Sequence, residues 1–252
     1  FGKHDFITHV DDETKGVVRR VVHLGHPGGS IEKPGKWTDH AFKYAARTDP
    51  ELKAKLEREV YIGHHKSRFM IWSDLNLDGV PQAEEVQGIN FGMQPVRRDF
   101  GGVTMREDLS IALTSGIYIP PPRFEANGVP VYDLSRHEPF ADCGEHLSDV
   151  VHGSDGTFVF TTGGYTRQRQ TRAYRDGAQV WKINGVKRAL AAYKGQLVNA
   201  QRNIGFPFTP RGGAGGEMFA LNGYRGNVYV ITTDGLYVAD LGGDIRSNVP
   251  IG

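Results

Sequence analysis

Twelve consecutive residues constrain this chain more than any others: Asp74-Leu75-Asn76-Leu77-Asp78-Gly79-Val80-Pro81-Gln82-Ala83-Glu84-Glu85. Oxygen-bearing side chains stand at positions one, three, five, nine and twelve of the run, the spacing with which a loop wraps a hard divalent cation. Calcium takes about six to eight oxygens, and a loop can deliver them only if it turns sharply. Gly79, at position six, supplies the turn. The expected ligands are the side chains of Asp74, Asn76 and Asp78, the backbone carbonyl of Val80, Gln82 directly or through water, and Glu85 with both carboxylate oxygens. Asp, Asn and Gly are also ordinary turn residues, so the competing reading is an acidic turn that binds nothing. The filling of every ligand position favours Ca2+.

The flanks decide the kind of site. In an EF-hand an amphipathic helix would lead into the loop, but Arg68-Phe69-Met70-Ile71-Trp72-Ser73 is a short apolar run that reads as a strand. Pro81 inside the loop and the brief Glu84-Glu85-Val86-Gln87 exit argue against a second helix. A strand-flanked loop has no helix pair to open, so the expected role is structural and not sensory.

Glycine accounts for 33 of 252 residues, the mark of a chain with many turns and an all-β expectation. A net charge of +1 gives no concentrated basic surface for nucleic acid or anionic membrane. The single cysteine, Cys143, excludes an intrachain disulfide, and with His146 it makes only half a zinc site. No apolar run is long enough for a membrane span. The chain opens at Phe1 with neither Met nor a leader, and is expected to be a fragment of a longer protein.

Along the chain, Phe6–Val10 and Gly16–Leu24 read as a hairpin. His4, His9, His23 and His26 lack a spacing that would fix ligands on one face, so they read as structural or surface residues. Residues 38–62 form a helical insertion. Asp49 is its cap, Pro50 its first position, Leu52, Leu56 and Val60 its apolar face, and Lys53, Lys55, Glu57 and Arg58 its wet face. Strands are expected over Asp108–Leu113 and Ile117–Ile119 around Ser115-Gly116, ended by Pro120-Pro121-Pro122, with a further segment at Gly128–Leu134.

A weak internal repeat follows. His152-Gly153-Ser154-Asp155-Gly156 before Thr157–Thr162 parallels Asn222-Gly223-Tyr224-Arg225-Gly226 before Asn227–Thr232, with Gly156 on Gly226. Ala178–Ile183 reads as a strand after Arg175-Asp176-Gly177, and Gly235–Leu241 as one after Asp234-Gly235. The unit running from Val228 through Thr233-Asp234-Gly235 to Leu241 resembles the inner hairpin of a β-propeller blade, in the style of the NHL-like and quinoprotein-like propellers of bacterial secreted or periplasmic proteins.

That resemblance covers roughly residues 64–90 and 105–245. It implies an all-β propeller, or part of one, spanning 1–252 as four-stranded antiparallel blades, with the helical insertion at 38–62 and the calcium loop at 74–85. At about 40–50 residues per blade there is room for about four, so upstream blades or a partner chain are expected. It also implies an extracellular or periplasmic module that takes a glycan or protein ligand at the propeller mouth. The alternative is the propeller of a polysaccharide lyase or hydrolase, or of a quinone-dependent sugar dehydrogenase.

Catalytic signatures are thin. Gly212-Gly213-Ala214-Gly215-Gly216 lacks the Lys-Ser/Thr ending of a phosphate loop and reads as a turn. Arg167, Arg169, Arg172 and Arg175 could grip a polyanion or simply guard a sheet edge. His64, His65, Arg68 and His152 are the residues to inspect for chemistry, with no role assigned.

Overall fold

A computed structural model describes residues 4–12, 17–25, 47–59, 68–90, 103–114, 116–140, 147–162, 170–184, 202–211, 215–222 and 228–241. Its strands, in chain order, are β1 (His4–Asp12), β2 (Val17–Gly25), β3 (Arg68–Ser73), β4 (Val86–Asn90), β5 (Val103–Met105), β6 (Ile111–Leu113), β7 (Ile117–Ile119), β8 (Arg123–Phe124), β9 (Pro130–Val131), β10 (Glu138–Pro139), β11 (Leu147–His152), β12 (Phe158–Thr162), β13 (Gln170–Arg175), β14 (Ala178–Asn184), β15 (Arg202–Phe208), β16 (Met218–Asn222), β17 (Val228–Thr232) and β18 (Tyr237–Leu241). The one long helix among the described residues is α1 (Pro50–Glu59). The fold is all-β. Its four-stranded sheets run β1-β2-β3-β4, β10-β7-β6-β5, β11-β12-β13-β14 and β15-β16-β17-β18, with a separate β8-β9 pair.

The chain divides into two compact units, Phe1–Val103 with Glu107–Glu138, and Thr104–Arg106 with Pro139–Gly252. In the first, β3 lies between β2 and β4, antiparallel to both. Being central, it buries Phe69, Met70, Ile71 and Trp72 without alternation, which is why its sequence is apolar throughout. Helix α1 begins where expected, because the Asp49 carboxylate accepts the Glu51 and Leu52 N–H groups at 2.8 and 3.0 Å. Leu52 and Leu56 are fully buried in one cluster with Met70, Trp72, Ala83 and Val86. Lys55 departs from the expected wet face: its Nζ donates to the Ala83 carbonyl at 2.8 Å. Val60 lies outside the described residues.

The strand expected over Asp108–Leu113 shortens to β6. Asp108 Oδ1 accepts from both the N–H and the hydroxyl of Ser110, and Leu109 adopts φ 64, so the chain turns before it can pair.

In the second unit the two sheets share one core of Val151, Val159, Ala173, Phe219, Leu221, Tyr229 and Ile231, with Trp181 and Ile183 packed against it. The period-two spacing of Phe219 with Leu221 and of Tyr229 with Ile231 is what points these side chains to one face. Trp181 stacks on Phe219 with centroids 6.3 Å apart and donates its indole N–H to the Thr233 carbonyl at 2.8 Å. The β13–β14 turn has Asp176 at φ 51 and Gly177 at φ 74, the paired positive φ of a tight hairpin.

The internal repeat needs realignment. β12 is the second strand of its sheet and β17 the third, so the matched sequences occupy unlike places. The equivalent hairpins are β13–β14 and β17–β18, each third strand to fourth through Asp-Gly.

Candidate metal centre

Strand β3 delivers the chain directly into the twelve-residue loop, and a 3₁₀ turn at Ala83–Glu85 carries it out into β4. Asp74 is 0% exposed and Glu85 4%, whereas Asn76 and Asp78 are exposed and Val80 is 48% exposed. The candidate ligands therefore form an acidic floor and an open rim. Two residues in the left-handed region curl the backbone between them: Gly79 at φ 75, as the spacing requires, and Leu77 at φ 63.

The loop's own N–H groups hold these side chains in place. Asp74 Oδ2 accepts from Gly79 N at 3.0 Å, Asn76 Oδ1 from Asp78 N at 3.0 Å, and Asp78 Oδ1 from Val80 N at 2.6 Å. Asp78 Oδ2 accepts from the Asn76 and Gln82 amides at 3.0 and 2.8 Å. Glu85 is held on both oxygens, Oε1 by Leu75 N at 2.8 Å and Oε2 by Gln82 N at 3.2 Å and the Trp72 indole at 2.8 Å.

Two oxygens are different. Asp74 Oδ1 and Gln82 Oε1 are buried and accept no hydrogen bond from the protein. A buried polar oxygen left without a partner costs about 1–3 kcal/mol, and more when it carries charge. Native proteins rarely tolerate this without a ligand, an ion or a water at the spot.

The electrostatics agree. Burial pushes the Asp74 carboxyl above its ordinary value; the Gly79, Asp78 and Leu77 N–H groups oppose that rise and the Asp78 charge adds to it. Burial raises Glu85 too, against the Trp72, Gln82 and Leu75 bonds and with a contribution from the Asp74 charge. At Asp78 slight desolvation is outweighed by the Val80 N–H and the Gln82 and Asn76 amides, so its carboxyl stays below the ordinary value. A divalent cation would reverse the penalty on the buried pair, because its charge favours the ionised carboxylates.

Were they to reach one ion, five single oxygens together with both oxygens of Glu85 would fall within the about six to eight that calcium takes. Among the described residues, no three His, Cys, Asp or Glu side chains are gathered into a metal cage on their own. A cage would need the Asn76, Gln82 and Val80 oxygens as well, and Asp78 would have to exchange its bond from the Gln82 amide for the ion.

Two partners of the loop carry no local signal. Trp72 orients Glu85 from within β3, and Asn127 Nδ2, in the β8–β9 turn, donates to the Leu75 carbonyl at 2.8 Å. The other candidates stand elsewhere or outside the described residues, the latter group comprising His26, His64, His65, Cys143, His146, Arg167, Arg169, Gly212, Gly213 and Ala214. His4, His9 and His23 lie on β1 and β2, and Arg68 opens β3 opposite Asn90. His152 ends β11 with its ring stacked on Phe158 at 4.2 Å, and Phe158 stacks on Phe140 at the same distance. Arg175 grips Asp155 and the Thr157 hydroxyl, and Arg172 donates to Gln170, so these two arginines serve their own sheet and its turn.

No protein-family model and no curated protein matches this sequence. Among solved structures the chain is similar to the crystal structure of the Chaetomium thermophilum Nup170 NTD–Nup53 complex, at 12% identity and a TM-score of 0.34. The match covers 69% of this chain and 26% of that one, and likeness at this level carries no argument. No helix among the described residues is long and apolar enough to cross a membrane.

Proposed function

We propose that this chain is a calcium-binding module of β-propeller type, in which the ion is structural and the module recognises a glycan or protein ligand outside the cell or in the periplasm. The observation that carries the metal is Asp74: a completely buried carboxylate, at the first ligand position, with an oxygen that the protein leaves unbonded. The ligand count supports a holding role, since a site filled by protein oxygens has no vacancy for catalysis.

The propeller reading is supported by successive four-stranded sheets, three of them simple meanders in which each strand pairs with the next. The extracellular or periplasmic placement follows from where free calcium is abundant. Extracellular calcium modules bind with Kd of about 10⁻⁴–10⁻³ M, so isothermal titration should reach about 10 mM calcium. Saturable heat with calcium, lost in Asp74→Asn, is the expected result. A flat titration over that range removes the metal and leaves only the sheet architecture.

A further inference from the structure

We propose that occupancy of the loop and docking of α1 are one coupled equilibrium, so that calcium clamps this helix against the sheet. The inference rests on the calcium reading and goes beyond it by naming what the ion controls.

The last three loop positions, Ala83–Glu85, form a single 3₁₀ turn that faces two ways. On one side Glu85 presents its carboxylate to the loop interior, where the N–H bonds from Leu75, Gln82 and Trp72 fix its orientation. A carboxylate offers about four lone-pair sites, so these bonds aim Glu85 without exhausting it. On the other side the Ala83 methyl is buried in the cluster with Leu52 and Leu56, and the Ala83 carbonyl takes the Lys55 ammonium. Trp72 belongs to both sides, packing in that same cluster while its indole holds Glu85.

Helix α1 has ten residues, too few to be stable without a packing surface. Its surface includes the turn whose position the ion would set. Without an ion, the two unbonded oxygens of Asp74 and Gln82 penalise this loop geometry. A loop that relaxes to hydrate them moves Glu85, and with it Ala83 and the Lys55 contact. With an ion the geometry is held, and the helix is held with it.

Hydrogen exchange on the backbone amides of α1, measured in calcium and in chelator, tests the coupling. Calcium at about a hundred times its Kd is expected to slow α1 exchange by up to about 100-fold, leaving β11–β14 unchanged as the internal control. Lys55→Met keeps every proposed ligand, and coupling is reciprocal, so it should weaken calcium binding and α1 protection together.

Calcium heat in the calorimeter with α1 exchange unaltered overturns the coupling while the metal reading stands. Absence of heat overturns both. A Lys55→Met protein with wild-type affinity and wild-type protection rules out the Ala83 turn as the route.

Discussion

Asp74 sits at the mouth of β3, fully buried, with Oδ2 bonded to Gly79 N and Oδ1 accepting no hydrogen bond, and burial favours its neutral form against the nearby N–H groups. Asp74→Asn should therefore separate the two states. In chelator the variant is expected to be more stable than the parent, by on the order of 1 kcal/mol, because a buried uncompensated charge is gone. In calcium it should gain nothing. Urea unfolding in both conditions reads the crossing, and equal losses in both would show that Asp74 merely packs.

Acid should act the same way. The Asp74 and Glu85 carboxyls both stand above their ordinary 3.8 and 4.5, so the folded state holds protons that the unfolded chain has released. Their penalty is absent below the ordinary values, grows as pH rises through the raised ones, and is complete above them. Calcium needs the ionised forms, so its affinity should fall on acidification, starting above 4.5. Asp78, shifted downward, titrates below that window. Calorimetric Kd values at neutral pH and at about pH 5 check the direction.

The sharp turn at Gly79 and the buried Asp74 and Glu85 carboxylates were readable because they follow a short local spacing. Trp72 and Asn127 were not, since their bonds join residues 13 and 52 positions away and leave no period behind.

Elements were legible where an apolar run or a turn marked them, as at β3, α1 and even the three-residue β7, whereas β11, β13, β15 and β16, five to seven residues long but more polar or interrupted, were not expected. Strand β3 and helix α1 announce themselves by an apolar run and by the Asp49-Pro50 start. Strands β8, β9 and β10, at two residues each, have no alternation to detect. The Asp-Gly hairpins were visible, but their depth of packing was not. At Gly235, φ is +96 and an added Cβ would lie 2.9 Å from the Trp181 ring, whereas at Gly177, φ is +74 and the space around a Cβ is empty. Gly177→Ala should then cost only the left-handed strain of an L residue, about 1–2 kcal/mol. Gly235→Ala should cost more, because the ring must also move and its bond to the Thr233 carbonyl is put at risk. Equal losses in thermal unfolding, or an unaltered Trp181 fluorescence spectrum in Gly235→Ala, would refute the packing argument.

At the scale of the whole molecule, the all-β character was legible from turn residues and apolar runs, while the division into two units was not, because no linker of distinctive composition marks it. The loop, α1 and the β8–β9 pair all belong to the first unit, so the ion's stabilisation should be local to it. An ion that binds only the folded state adds about 2.7 kcal/mol at a hundred times its Kd. If the first unit melts on its own, each kcal/mol raises its Tm by at least about 2–4 °C, which places the calcium-induced rise at roughly 5–10 °C or more. Scanning calorimetry in calcium against chelator reads the rise, and hydrogen exchange places it. Protection should increase over β3, β4 and α1 and stay level over β12, β13, β16 and β17. Magnesium should give little of either effect, because it demands a tighter octahedral cage and keeps its waters, which a wide loop with a bidentate Glu85 does not suit. A uniform gain across both units, or an equal gain with magnesium, would mean that the cation acts on general surface charge and not through the cage of oxygens around Asp74.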